Sequence, residues 1–233
     1  MRNAFVIVAA LAMATPLAAQ TRQAKDNDPT HAVNGGGTLP AGWDMALDPG
    51  AIARGAKKDQ VRFVTMGSGY HFYTGPAGIY WNPKDAASGD YTVQATFTQE
   101  KKITGHGDHG EAYGLIVGGS KLDTPNAQYL YFIVRQDGMY MIRHRAGPDD
   151  KTQLHTIVPW TASPAVNKVG DDGKDSNTLA VQVAADSVHF LANGKQVTAF
   201  SKAQMHGFNM GGQTGIRMNH NLDVHVSDFK VAR

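Results

Sequence analysis

The chain has 233 residues, with 22 Lys+Arg against 20 Asp+Glu, no cysteine, 26 glycines and 42% hydrophobic residues. Its length suits one large domain or two small ones, and its hydrophobic share belongs to a globular chain rather than a disordered one. A formal charge of +2 without a basic block excludes a nucleic-acid footprint. The missing cysteines exclude disulfides, thiolate metal sites and a cysteine nucleophile.

Residues 1–20 carry Arg2, an apolar run from Ala4 to Ala14, and Pro16 ahead of Ala18-Ala19. This is the layout of a cleavable secretory signal. The run is well short of the ~20 residues that span a bilayer, and no cysteine follows it to take a lipid anchor. Nothing later is long and apolar enough to span. The expectation is an exported protein, periplasmic or secreted, cleaved near Ala19 or Gln20. Residues 21–40 are polar and include Gly35-Gly36-Gly37, which reads as a mobile leader. One domain is expected over 41–233.

After Trp43 the pattern becomes short aromatic and β-branched runs separated by Gly, Pro, Asn and Asp. Strands are expected at Val61 to Met66, Tyr70 to Thr74, Gly78 to Trp81, Tyr91 to Phe97, Tyr113 to Val117, Tyr129 to Arg135 and Met139 to Arg145. Further strands follow at Leu154 to Val158, Leu179 to Val183, Val188 to Leu191, Val197 to Phe200, Ile216 to Met218 and Val224 to Val231. No window of 11 or more residues keeps a helical spacing. The pattern predicts an all-β sandwich or barrel.

Asp137-Gly138 and Asn193-Gly194 each separate two alternating runs and suit a two-residue type I′ turn. At the first, that turn pairs Gln136 with Met139, Val134 with Met141 and Phe132 with Arg143 on one face. The other face then pairs Arg135 with Tyr140, Ile133 with Ile142 and Tyr131 with His144. Both faces come out mixed. Tyr129, Tyr131, Arg135 and His144 share one, and Arg143 and Arg145 lie on the opposite one. The sequence leaves open which face lines the core.

The stretch Tyr129 to Tyr140, the strand–Asn-Gly–strand unit Val188 to Val197, and the closing strands around Gly215 to Arg217 and Val224 to Val231 resemble the concanavalin A-like jelly rolls. The likeness is to their laminin-G-like and 3-keto-disaccharide hydrolase-type branches, and it covers Trp43 to the C-terminus. It implies a two-sheet antiparallel jelly-roll sandwich. That fold hosts lectins, glycosidases and structural modules, so it does not by itself imply one activity.

Glycosidases of this fold carry their catalytic carboxylates as Glu-x-Asp-x-Glu on one strand, or with one more residue inserted, because alternate positions share a face. Neither form occurs here, where the two glutamates are Glu100 and Glu111. No nucleophile elbow, phosphate loop or dinucleotide fingerprint is present; Met66 to Gly69 and Gly118 to Lys121 read as turns. Gly105 to Glu111 places His106, Asp108, His109 and Glu111 close together among glycines. The metal reading of these four ligand types is a zinc or calcium site, and the bland one is a solvated loop before a strand. Asp171 to Asn177 offers oxygen ligands for calcium but lacks EF-hand spacing, so it reads as a solvated loop.

Tyr129, Tyr131, Arg135 and His144 form the candidate sugar site, since aromatic rings stack on sugar faces while Arg and His donate to hydroxyls or carboxylates. The competing reading makes the tyrosines ordinary sheet core. Asn219 and His220, in the turn between the last two strands, would border the groove. Three functions stand. One is an exported, non-catalytic module binding a glycan or envelope polymer. Another is a hydrolase or lyase acting on 3-keto-glycosides, with His106, Asp108, His109 and His144 as candidate acid/base or metal groups. The third is a structural or protein-interaction domain without a small ligand.

Overall fold

The computed structural model describes residues 35–99, 111–146, 153–205 and 208–233. The expected signal, most of the leader, and His106, Asp108 and His109 lie outside the described residues. The described chain forms β1 (Asp44–Leu47), α1 (Pro49–Ala53), β2 (Val61–Met66), β3 (Gly69–Thr74), β4 (Gly78–Trp81), β5 (Tyr91–Gln99), β6 (Ala112–Ser120) and β7 (Gln128–Arg135). These are followed by β8 (Met139–Ala146), β9 (Gln153–Ala162), β10 (Asp175–Val183), β11 (Ser187–Ala192), β12 (Lys195–Ser201), β13 (Gln213–Met218) and β14 (Leu222–Ala232). Every expected strand is present. The sequence pattern missed β1 and α1, which at four and five residues are too short to show a period.

Two seven-stranded antiparallel sheets make the sandwich. Sheet I runs β1-β4-β13-β6-β7-β8-β9 and sheet II runs β12-β11-β10-β5-β14-β3-β2. This is the jelly-roll architecture. On β5, Tyr91, Val93, Ala95 and Phe97 point inward and are buried, while the alternate threonines and glutamine look outward. Inward side chains of both sheets interlock in one core. In it Phe63 stacks on Phe72 with ring centroids 4.0 Å apart, Trp43 meets Phe63 edge-on at 5.0 Å, and Phe132 meets Phe190 at 5.5 Å.

Four local expectations change. Strand β9 does not stop before Pro159 but runs to Ala162. It is the edge of sheet I, where a residue lacking an N–H forfeits no ladder bond. Residues 35–40, expected in the leader, are tied to β2: the Gly35 N–H donates to Asp59, and Phe63 N–H donates to Thr38. A Cβ at Gly35 would lie 2.2 Å from the Val61 carbonyl carbon, so only glycine permits that approach. Asp175 and Asn177, read as a solvated loop, are buried on β10. Finally, Asn193-Gly194 forms the expected turn, with φ of 51° and 75°, but Asp137-Gly138 does not.

Candidate functional site

The β7–β8 hairpin pairs Arg135 with Met139, Ile133 with Met141, Tyr131 with Arg143 and Tyr129 with Arg145. Its loop therefore has three residues, Gln136 to Gly138. Gly138 takes φ of 85° and its N–H returns to the Arg135 carbonyl, while Asp137 keeps a negative φ. This is the three-residue loop with glycine at the left-handed position, not the type I′ turn. The change of loop length by one residue reverses which side chains share a face. Leu130, Phe132, Val134, Tyr140, Ile142 and His144 point into the sandwich. Tyr129, Tyr131, Ile133, Arg135, Met139, Met141, Arg143 and Arg145 share the outer face. His144 thus leaves the expected cluster, and Arg143 and Arg145 join it. A signal for this was present in the sequence: only an odd-length loop collects the five even-numbered apolar residues on one side.

The outer face of sheet I is not a solvated surface. Ile79, Trp81, Ala112, Ile116, Tyr129, Tyr131, Ile133 and Met141 form a second apolar cluster, closed at one end by Leu122 and Ala127 of the β6–β7 connection. Tyr129 and Tyr131 are 3% and 4% exposed, with rings 6.1 Å apart, so they form a floor rather than a stacking platform. Trp160 of β9 remains half-buried at the rim, and the Arg135 guanidinium lies 4.5 Å over its ring.

The sheet also curls around this face. Four strands separate β1 from β8, a span of about 24 Å in a flat sheet. Yet Ala46 of β1 and Arg145 of β8 line one cavity of about 640 Å³, together with Pro49, Ile52, Lys58 and Leu122. An arginine side chain bridges only a fraction of that span, so the outer face is concave.

Charge is organised on the concave face by pairing. Arg217 of β13 is buried, donates to both carboxylate oxygens of Asp48, with Nη2 2.6 Å from Oδ2, and sits 5.3 Å over the Tyr131 ring. Burial alone would push the Asp48 carboxyl up, but the Arg217 cation outweighs it and holds the group below the usual carboxylate range. Arg135 grips Asp137 through Nε at 2.9 Å and Nη2 at 2.5 Å, and its hydrogen bonds lower the Asp137 carboxyl in the same way. Burial raises the Tyr129 phenol, which hydrogen-bonds Arg145.

Asn219 and His220 do border this face. Asn219 Oδ1 accepts from Arg217 Nη2 at 3.2 Å, and His220 Nδ1 lies 3.0 Å from a carboxylate oxygen of Glu111. Glu111, expected among metal ligands, is thereby engaged by an imidazole. Among the described residues no group of three His, Asp or Glu side chains is placed to hold a metal ion. His144 instead faces a separate cavity of about 750 Å³ at the open edge between the sheets. Its ring stands 5.0 Å from His155 and stacks on Phe208 at 5.4 Å. At the far end of the sandwich Asp175 accepts from the Tyr113 hydroxyl at 2.5 Å, and Asn177 donates to that hydroxyl at 3.0 Å. Burial raises the Asp175 carboxyl.

No protein-family model matches the chain, and no curated protein shows significant sequence similarity to it. Solved structures do resemble it. A carbohydrate-binding module, CBM66, from Bacillus subtilis superposes with a TM-score of 0.55 at 9% identity, covering 84% of this chain and 99% of that one. A Bacillus subtilis protein of unknown function with a galectin-like fold gives 0.55 at 12% identity, covering 82% and 88%. A glycoside hydrolase family 16 endo-glucanase from Bacteroides ovatus gives 0.54 at 8% identity, covering 81% and 94%. At such identities the likeness establishes the fold, a two-sheet jelly-roll sandwich, and leaves the activity to the site.

Proposed function

We propose that this chain is an exported, non-catalytic module that holds a saccharide against the concave outer face of sheet I. One observation carries the reading. The hairpin register sets a floor of Tyr129 and Tyr131 beneath Arg143 and Arg145, in a sheet curled tightly enough for opposite strands to line one cavity. A concave apolar surface with a few converging donors suits a ligand having apolar ring faces and many hydroxyls. Similar folds occur in a carbohydrate-binding module and in a glycoside hydrolase family 16 endo-glucanase, which supports the choice of ligand class. The lack of Glu-x-Asp-x-Glu supports the non-catalytic part, and residues 1–20 support export.

The test is affinity electrophoresis of the secreted chain through gels containing a panel of neutral and charged polysaccharides. Retardation by at least one of them is expected, weakened by Trp160→Ala at the rim, with no new reducing ends after prolonged incubation. Passage through every gel unretarded removes the binding reading, and release of reducing ends removes the non-catalytic one. Export is checked by the mass of the periplasmic or secreted protein, which should lack about the first 20 residues.

A further inference from the structure

We infer that the saccharide held on the concave face is anionic, carrying carboxylate or sulfate groups that Arg143 and Arg145 receive. The inference rests on the binding reading just given and names its ligand class. Four guanidinium groups stand on this face. Arg135 is matched by Asp137 and Arg217 by Asp48, each through two hydrogen bonds. Arg143 and Arg145, two residues apart on β8 and therefore on the same side, have no carboxylate of this kind among the described residues. The Nε of each is shielded and without an acceptor, as is that of Arg217, so what separates the two from Arg217 is the missing carboxylate.

The pairing of Arg217 and Arg135 shows how this face treats a guanidinium that it means to neutralise. Arg143 and Arg145 are half-buried, and two half-buried cations side by side without a carboxylate are better explained by an anion that arrives with the ligand at their outer nitrogens. Arg145 also forms one wall of the cavity of about 640 Å³. The other charged groups there are Lys58 and Asp123, giving two cations to one anion. Asp48, which also reaches Arg145 electrostatically, is already committed to Arg217. Planar carboxylates and the tripod of sulfate oxygens both accept two N–H groups from an arginine fork, whereas a neutral hydroxyl does not. Apolar Pro49, Ile52, Leu122 and Pro125 around the cavity suit the ring body of the same ligand.

The experiment compares polygalacturonate with its carboxyl-reduced galactan, and dextran sulfate with dextran, by titration calorimetry on the secreted chain at low and high salt. At least about tenfold tighter binding is expected for one charged polymer over its neutral counterpart, declining with salt. Whether polygalacturonate or dextran sulfate binds identifies the anion as carboxylate or sulfate. Arg143→Gln and Arg145→Gln should each weaken that binding about tenfold with an unchanged melting temperature. Since Tyr129 leans on Arg145, Lys58→Gln tests the same cavity from an exposed position if Arg145→Gln unfolds. Lys195→Gln, in the exposed hairpin of sheet II, is the control for diffuse attraction. Equal binding of charged and neutral polymers overturns the charge inference while leaving saccharide binding intact. An equal loss in Lys195→Gln and Arg143→Gln overturns it too. Binding to none of the four polymers overturns the charge inference, while retardation by any neutral polysaccharide of the wider panel keeps the binding reading standing apart from it.

Discussion

The two outer faces of the sandwich are made by opposite rules. On sheet II, Thr96 bonds Thr178 at 2.8 Å and Thr98 bonds Ser176 at 3.1 Å, a cross-strand ladder of short hydroxyls open to water. On sheet I the equivalent positions are Ile116, Tyr131, Ile133 and Met141, all buried, with arginines among them. Sheet II has one apolar face and sheet I has two. A sheet needs only one apolar face to join a sandwich. The second apolar face of sheet I is therefore not what joins the two sheets, and it coincides with the concave, arginine-bearing surface. The difference teaches that the site is to be sought where alternation fails, not where it is cleanest.

The largest effects should come from the buried positions that distinguish the faces. Phe132 and Ile133 are neighbours on β7, both fully buried, one in the sandwich core and the other on the outer face. Phe132→Ala should cost about 3–5 kcal/mol and Ile133→Ala about 2–5 kcal/mol by chemical denaturation. A loss below about 1 kcal/mol for Ile133→Ala would mean that the outer cluster opens freely, and the contrast with sheet II would fall.

Asp48→Asn strips Arg217 of its carboxylate and should cost about 3 kcal/mol, close to the lower end for a broken buried pair because Asp48 keeps 28% of its side-chain surface exposed. The pH response has a definite sign. Asp48 has a depressed carboxyl in the folded state, so its contribution is present above the unfolded-state value of 3.8 and is lost as pH falls through the folded one. Acid melts should show the gap between wild type and Asp48→Asn closing in that range.

Gly138→Ala tests the three-residue loop. With φ of 85° the alanine is strained, and its Cβ meets only the flexible Lys168 side chain, so about 1 kcal/mol should be lost. No loss would show that the loop readily takes another conformation.

Asp175 runs against Asp48. Burial raises its carboxyl, so the folded state gains stability as pH falls through the folded value and is penalised above it. Asp175→Asn should therefore compare best with wild type at neutral pH, and the comparison should worsen on acidification. The smallest effect belongs to the outer face of sheet II: Thr96→Ala should change stability by no more than about 1 kcal/mol, the scale of one cross-strand pair.

Much of the fold was legible because strand period and turn chemistry are local. Tyr91 to Phe97 alternates strictly, and the structure gives it one wet and one dry face. Asn193-Gly194 demanded two positive φ values and has them. The candidate site was legible only in part. Tyr129, Tyr131 and Arg135 lie on one face of β7, and Asn219 meets Arg217 at the edge of that face. Arg143, Arg145 and His144 were assigned to the wrong sides because Asp-Gly is compatible with loops of two and of three residues, and one residue inverts the pairing. Asp175 was missed because a polar run looks solvated unless a partner such as Tyr113, some 60 residues away, comes to meet it.

Composition, strand spacing and the scarcity of glutamate by themselves determined an all-β sandwich without the fold's usual paired carboxylates. The hairpin register, the curl that brings β1 to β8, and the matching of Asp48 to Arg217 were decided only by the tertiary structure. These depend on contacts between residues distant in sequence, and no local pattern of side chains fixes which distant partner closes a face.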